Sequence, residues 1–249
     1  MPVSFWLRSG LHWGMDFIYP RCCRWCRCLL PEDAFRNECF CRRCTQAIAP
    51  VLPNRCLRCS APVGPNLETS GGCLHCRRHP GRYRSVISLG PYADELRLAC
   101  LMCKHSRHPT LVAGLVELLC RRHFETLRSW DCDLVIPVPH HWWDRIWREH
   151  PSAVMGERIS RELRLPLDRH CLRKVRRTRK QQSLPVSSRE ANLRKAFRIA
   201  AFSRLKGRRI LLVDDILTTG ITADRCARVL LQAGAARVDV AVLARSLGG

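Results

Sequence analysis

Asp214 and Asp215 stand side by side behind the apolar run ILLV at 210–213, and residues 218–222, Thr-Thr-Gly-Ile-Thr, follow them closely. Adjacent carboxylates suit hydroxyl groups, because each can accept protons from a sugar diol; they repel phosphate. The threonine-glycine stretch has the opposite taste. Gly220 lets the backbone turn tightly, hydroxyls and amide hydrogens converge, and a following helix adds partial positive charge at its start. Phosphate and diol sites a few residues apart describe a ribose 5-phosphate. The competing reading is a buried strand that ends in acids. A Walker-type ATPase is excluded, since no GxxxxGK[ST] motif lies upstream. A receiver domain places such a strand near its start, whereas only 34 residues follow Asp215 here.

A second chemistry lies in the first third of the chain. Four CxxC pairs occur in order: Cys23 with Cys26, Cys41 with Cys44, Cys56 with Cys59, and Cys73 with Cys76. The gaps within successive sets of two pairs are fourteen and thirteen residues, so the arrangement repeats. Two CxxC turns supply the four thiolates of a tetrahedral zinc site, which predicts two structural Zn²⁺ ions. The surrounding residues are too polar to make a core, so metal would supply much of the folding energy. Disulfides or free thiols are the alternative, and Cys22, Cys28 and Cys39 crowd the first site. A fifth pair, Cys100 and Cys103, reads instead as two small apolar residues on a helix face.

These groups need a scaffold, and from residue 85 onward the pattern provides one. Strands are expected at 85–90, 133–139, 208–215 and 237–245, and helices at 92–104, 110–128, 151–164 and 222–234. Apolar runs long enough to be buried on both faces, alternating with helices, predict an α/β layer with a mainly parallel sheet. The C-terminal edge of such a sheet is where α/β folds bind ligands. The expected division is an amphipathic segment at 1–21, a double zinc ribbon at 22–80, and an α/β domain at 85–249.

Lys and Arg number 43 against 21 Asp and Glu, a formal charge of +22. Two all-thiolate zinc sites, each about −2, would leave about +18. The excess calls for polyanionic partners. It concentrates at 169–209, with fifteen basic residues and one acid, Glu190. That stretch reads as a solvated loop or basic hairpin, or as a lid over an anionic ligand. Trp142, Trp143 and Trp147 alternate with Arg145 and Arg148, a composition suited to stacking on single-stranded bases or to packing under the sheet. No apolar run reaches the roughly 20 residues of a membrane span, and no secretory signal is evident, so a cytoplasmic protein is expected.

Residues 210–222 resemble the phosphoribosyl-pyrophosphate (PRPP) signature of type I phosphoribosyltransferases. The resemblance extends to the ComF/GntX group, phosphoribosyltransferase-like proteins with a cysteine-rich double zinc ribbon, associated with DNA uptake and competence. It is carried by the four CxxC pairs, Lys104, the stretch DLVIPVPHH at 133–141, and Arg148. It continues through Thr178, Gln181, Leu184, Arg189, Asn192 and Phe197 to residues 210–222. It implies a type I phosphoribosyltransferase-like sheet that binds PRPP with Mg²⁺. Asp214 and Asp215 would be catalytic, Thr218, Thr219, Gly220, Ile221 and Thr222 would grip the 5-phosphate, and Lys104, Arg145 and Arg148 would face pyrophosphate. Where the family shows Arg-Gly-Phe-Asn-Gln, this chain reads Arg148-Glu149-His150-Pro151-Ser152, a change that bears on turnover more than on binding. The alternative is a non-catalytic module that binds single-stranded nucleic acid or a DNA-uptake helicase.

Overall fold

The computed structural model of the chain describes residues 20–31, 38–69, 71–78, 80–105, 109–139, 150–176, 196–201 and 203–247. Its centre is a parallel sheet of β1 (Val86–Ile87), β2 (Gly90–Pro91), β3 (Leu134–Pro137), β6 (Arg209–Leu217) and β7 (Arg237–Arg245). The strand order is β1-β7-β6-β3, with β2 beside the far end of β7. Leu134 pairs with Ile210 and Pro137 with Val213, while Arg209 pairs with Arg237 and Leu217 with Arg245. β6 is therefore central, and its acidic end lies between two neighbours.

Side chains alternate across a strand, so β6 feeds two cores. Leu211 and Val213 pack on one face with α3 (Asp94–His105), α4 (Pro109–Arg122), α5 (Phe124–Trp130) and α6 (Pro151–Leu163). Ile210 and Leu212 pack on the other with α7 (Ile221–Gln232) and with β4 (Leu172–Lys174) and β5 (Phe197–Ile199). Burial on both faces is what the apolar runs predicted. α6 opens on Pro151 after an extended His150, where the missing proline N–H costs nothing. After α7, Gly234 takes φ +96 and Ala235 N–H donates to Leu230 O, a glycine-closed helix end.

Two expectations are corrected. The helix expected at 110–128 breaks at His123 into α4 and α5. The strand expected at 85–90 appears as two short pieces flanking Ser88 and Leu89. Side-chain donors account for the interrupted strand. Arg122 donates to the carbonyls of Ala49, Pro50 and Leu89, Arg55 to those of Ser88 and Leu89, and His123 Nε2 lies 2.9 Å from Ser88 O. Carbonyls claimed by side chains are diverted from the strand ladder.

The cysteine-rich part is built on α1 (Arg42–Ile48) and α2 (Leu74–Arg78). Its first half shares the core on the α4 face, through Cys23, Phe40, Cys44 and Ile48. Its second half has little apolar substance of its own: Cys56, Cys59, Ala61 and Cys76, with Val63 and Cys73 alongside. The basic stretch is a hairpin at its base, with Leu172 opposite Ile199 and Lys174 opposite Phe197. Residues 177–195 lie outside the described residues, as do 1–19 and the tryptophan-arginine stretch 140–149.

Candidate functional site

β6 carries Asp214 and Asp215 to the C-terminal edge of the sheet and leaves both buried, at 7% and 8% exposure. Three of the four carboxylate oxygens have an assigned neighbour. Asp214 Oδ1 accepts from the Asp215 amide at 2.9 Å, and Asp215 Oδ1 accepts from the Ile216 amide at 2.8 Å. Asp215 Oδ2 faces Lys104 of α3, with Nζ 3.3 Å away; apart from that ion pair it is sealed and unpartnered. Burial alone would lower the Lys104 ammonium, but the adjacent Asp215 carboxylate, with Tyr92 and Asp214, holds it above its ordinary value. Asp214 sits on the α7 side, where its charge bears on Cys226. Burial, and then repulsion from Asp215, push its carboxyl well above the usual carboxylate range. The two acids therefore differ, one countered by a lysine and one inclined to keep its proton.

Beyond Leu217 the chain turns through Gly220, at φ +80, into α7. The first helical bond runs from Asp224 N–H to Gly220 O, so the amides before it lack intrahelical acceptors. Thr219 Oγ1 lies 3.5 Å from the Ile221 amide, too long to close the helix start strongly. Sequence reasoning missed the residue that sets this loop's origin. Arg245, 5% exposed at the end of β7, donates to the carbonyls of Leu217, Thr218 and Ser246. Only the pairing of β7 with β6 brings it there, and no local motif signals it. Arg82 and Asp224 are a second surprise: the Arg82 amide and guanidinium both hold Asp224 Oδ1, at 2.9 and 3.1 Å. That pairing offsets the acid in the first turn of α7, which would otherwise oppose an anion there.

Of the predicted site residues, Asp214, Asp215, Lys104 and 218–222 come together at one edge of the sheet. Arg145 and Arg148 lie outside the described residues. Cys100 and Cys103 are buried on α3 as small apolar residues, within electrostatic reach of Asp215.

Two cysteine clusters could hold structural zinc. Cys56, Cys59, Cys73 and Cys76 keep all four sulfurs within 4.8 Å of one another. Cys56–Cys76 and Cys59–Cys73 are each 3.6 Å and Cys73–Cys76 is 4.0 Å. A tetrahedron with 2.3 Å Zn–S bonds has sulfurs about 3.8 Å apart, so the donor set fits. The other cluster draws in a further cysteine, Cys28. Cys23, Cys26, Cys28 and Cys41 form a tight group. Cys28 lies 3.2 Å from Cys26, and the Cys44 thiol is within hydrogen-bond reach of Cys41, Cys26 and Cys23, the three cysteines with which it was expected to bind zinc. The CxxC spacing favoured Cys44; the turn at Arg27, with φ +66, is what returns Cys28 to the cluster. None of the seventeen cysteines is paired in a disulfide.

No helix among the described residues is long and apolar enough to cross a membrane. Residues 150–249 match the phosphoribosyl transferase domain family. The chain is 30% identical over 234 residues to the DNA utilization protein YhgH of Salmonella typhi, covering 92% of this chain and 98% of that one. It is 27% identical to competence protein F of Haemophilus influenzae, covering 70% and 78%. Among solved structures, a purine phosphoribosyltransferase from Pyrococcus horikoshii Ot3 aligns with 54% of this chain and 87% of its own, at 18% identity and a TM-score of 0.36. Near-complete coverage of the YhgH relative, two Cys₄ clusters and a phosphoribosyl transferase domain agree: the chain belongs to the ComF family, a double zinc-ribbon region joined to a type I phosphoribosyltransferase-like fold.

Proposed function

We propose that this chain binds PRPP, or a ribose 5-phosphate group, with Mg²⁺ at the C-terminal edge of β6, in a role linked to DNA uptake. The observation that carries the reading is the buried pair Asp214 and Asp215, set directly before a glycine turn that opens a helix. A packed core gains nothing from two buried acids, because desolvation of the charged form is costly. A ribose diol would satisfy them. Carboxylates are the hard oxygen donors that Mg²⁺ or a magnesium-bound water takes. When bound, Mg²⁺ would supply charge neutralisation on the pyrophosphate.

The chain's own groups then divide the work. Residues 218–222 and the start of α7 would hold the 5-phosphate, and Arg245 fixes where that loop begins. Asp214 and Asp215 would hold the diol and balance positive charge growing on the ring as pyrophosphate leaves. Lys104 would stand beside the leaving group. Such a displacement draws on positioning and electrostatics more than on a strong base. A ligand that binds only the folded state stabilises it by about 2.7 kcal/mol at a hundredfold excess over Kd. Magnesium and PRPP together should therefore raise the melting temperature by several degrees, and magnesium alone should not. No shift with both present would sink the reading.

One observation favours a second activity. Arg173 of β4 lies directly opposite Arg198 of β5, both exposed. Like charges facing across a hairpin are unfavourable, and an anionic strand would relieve them. Relatives that carry the names DNA utilization protein and competence protein are the reason to take a nucleic acid as the anion to test.

A further inference from the structure

The segment joining the second cysteine cluster to the sheet enters the phosphate loop. Arg58, inside the Cys56–Cys59 turn, donates to Gly81 O at 2.9 Å, and Arg82 holds Asp224. Between them Tyr83 is buried, at 5% exposure. Gly81 makes room for its ring: a Cβ there would fall 2.3 Å from Tyr83 Cε1. Gly220 makes room for its hydroxyl, which lies 2.7 Å from where a Cβ at 220 would be. Two glycines thus clear a path for one phenol, and the path ends at the loop.

That hydroxyl makes no hydrogen bond with any other described residue, and it is not among the sealed unpartnered atoms, so the oxygen is the end that meets solvent. The ring is buried while its hydroxyl, at the solvent end, lies beside Gly220 in the loop. Burial also pushes the phenol above its ordinary value, so it keeps its proton and can donate. Packing alone would be served equally by phenylalanine.

Resting on the ribose-phosphate reading, we propose that Tyr83 is part of the phosphate site. Its hydroxyl donates to the 5-phosphate held by residues 218–222, so the anion is gripped jointly by the transferase-like fold and by the linker from the second zinc ribbon. Arg82 is a positioning residue beside it, keeping the first-turn carboxylate of α7 paired and away from the anion.

The test is titration of ribose 5-phosphate, and separately of magnesium pyrophosphate, into zinc-loaded full-length protein and its Tyr83→Phe variant. Zinc content and melting temperature establish that both are folded. A hydrogen bond to a charged group is worth about tenfold or more in affinity. The variant should bind ribose 5-phosphate about tenfold more weakly and magnesium pyrophosphate, which has no 5-phosphate, equally well. Equal ribose 5-phosphate affinity in the two proteins overturns the role of Tyr83 and leaves the pocket standing. A parallel loss toward both ligands overturns it too, since it shows general distortion. No binding of either ligand by wild type overturns the pocket and the Tyr83 proposal together.

Discussion

The two acids are unequal residues in one motif, and that inequality has consequences. Asp214 has its pKa raised by burial, so the folded protein holds its proton more tightly than the unfolded chain does. Stability is then greatest below the unfolded carboxylate value of about 4 and is lost as pH rises toward the raised folded value. Asp214→Asn removes that cost. We expect the variant to melt a few degrees higher than wild type at pH 7, with the gap closing toward pH 4, while PRPP binding falls at least tenfold. A variant that melts lower at pH 7 would show that the Asp214 charge is stabilising. Arg245 should behave the other way. Arg245→Met strips the Leu217 and Thr218 carbonyls of their donor, costing about 2 kcal/mol of stability together with ligand affinity. Unchanged urea unfolding would refute that role. The sequence made Asp214, Asp215 and residues 218–222 readable because they are local: strand, acids and turn lie within thirteen positions. Tyr83, Arg82 and Arg245 were not readable, since each reaches the loop across strands or from the ribbon linker, at separations that no spacing rule records.

At the scale of elements, the apolar runs at 133–139, 208–215 and 237–245 became β3, β6 and β7 because a doubly covered parallel strand writes its burial as continuous hydrophobicity. Periodicity failed at 85–90, where Arg55, Arg122 and His123 claim backbone carbonyls from a distance. The first cysteine cluster repeats that lesson. CxxC spacing points to Cys44, and backbone geometry brings in Cys28. Cys28→Ser should therefore reduce bound zinc from two equivalents to about one, whereas Cys44→Ser should keep two and lose stability through its buried site. Zinc quantification after gel filtration decides between them, and the opposite pattern would keep Cys44 in the ligand set.

For the molecule as a whole, charge and the sheet edge point the same way. A chain of net charge +22 buries two acids at one sheet edge, and the proposed site gives them a sugar, rather than a phosphate, to meet. The exposed Arg173 and Arg198 lie on a different element from that pocket, so the two proposed activities are separable. Replacing both by Glu should weaken single-stranded DNA binding and flatten its salt dependence by about 1.4 in log–log slope, at roughly 0.7 per phosphate contact. PRPP affinity should stay as it was. An unaltered slope would remove the hairpin from any DNA surface.

The most direct measurement is calorimetric titration of PRPP with Mg²⁺ into zinc-loaded protein, beside the Asp214→Asn/Asp215→Asn double variant. Saturable binding by wild type that the folded double variant loses is the predicted result. Binding that survives the loss of both carboxylates, or none by well-folded wild type, would contradict a ribose-phosphate site at the end of β6.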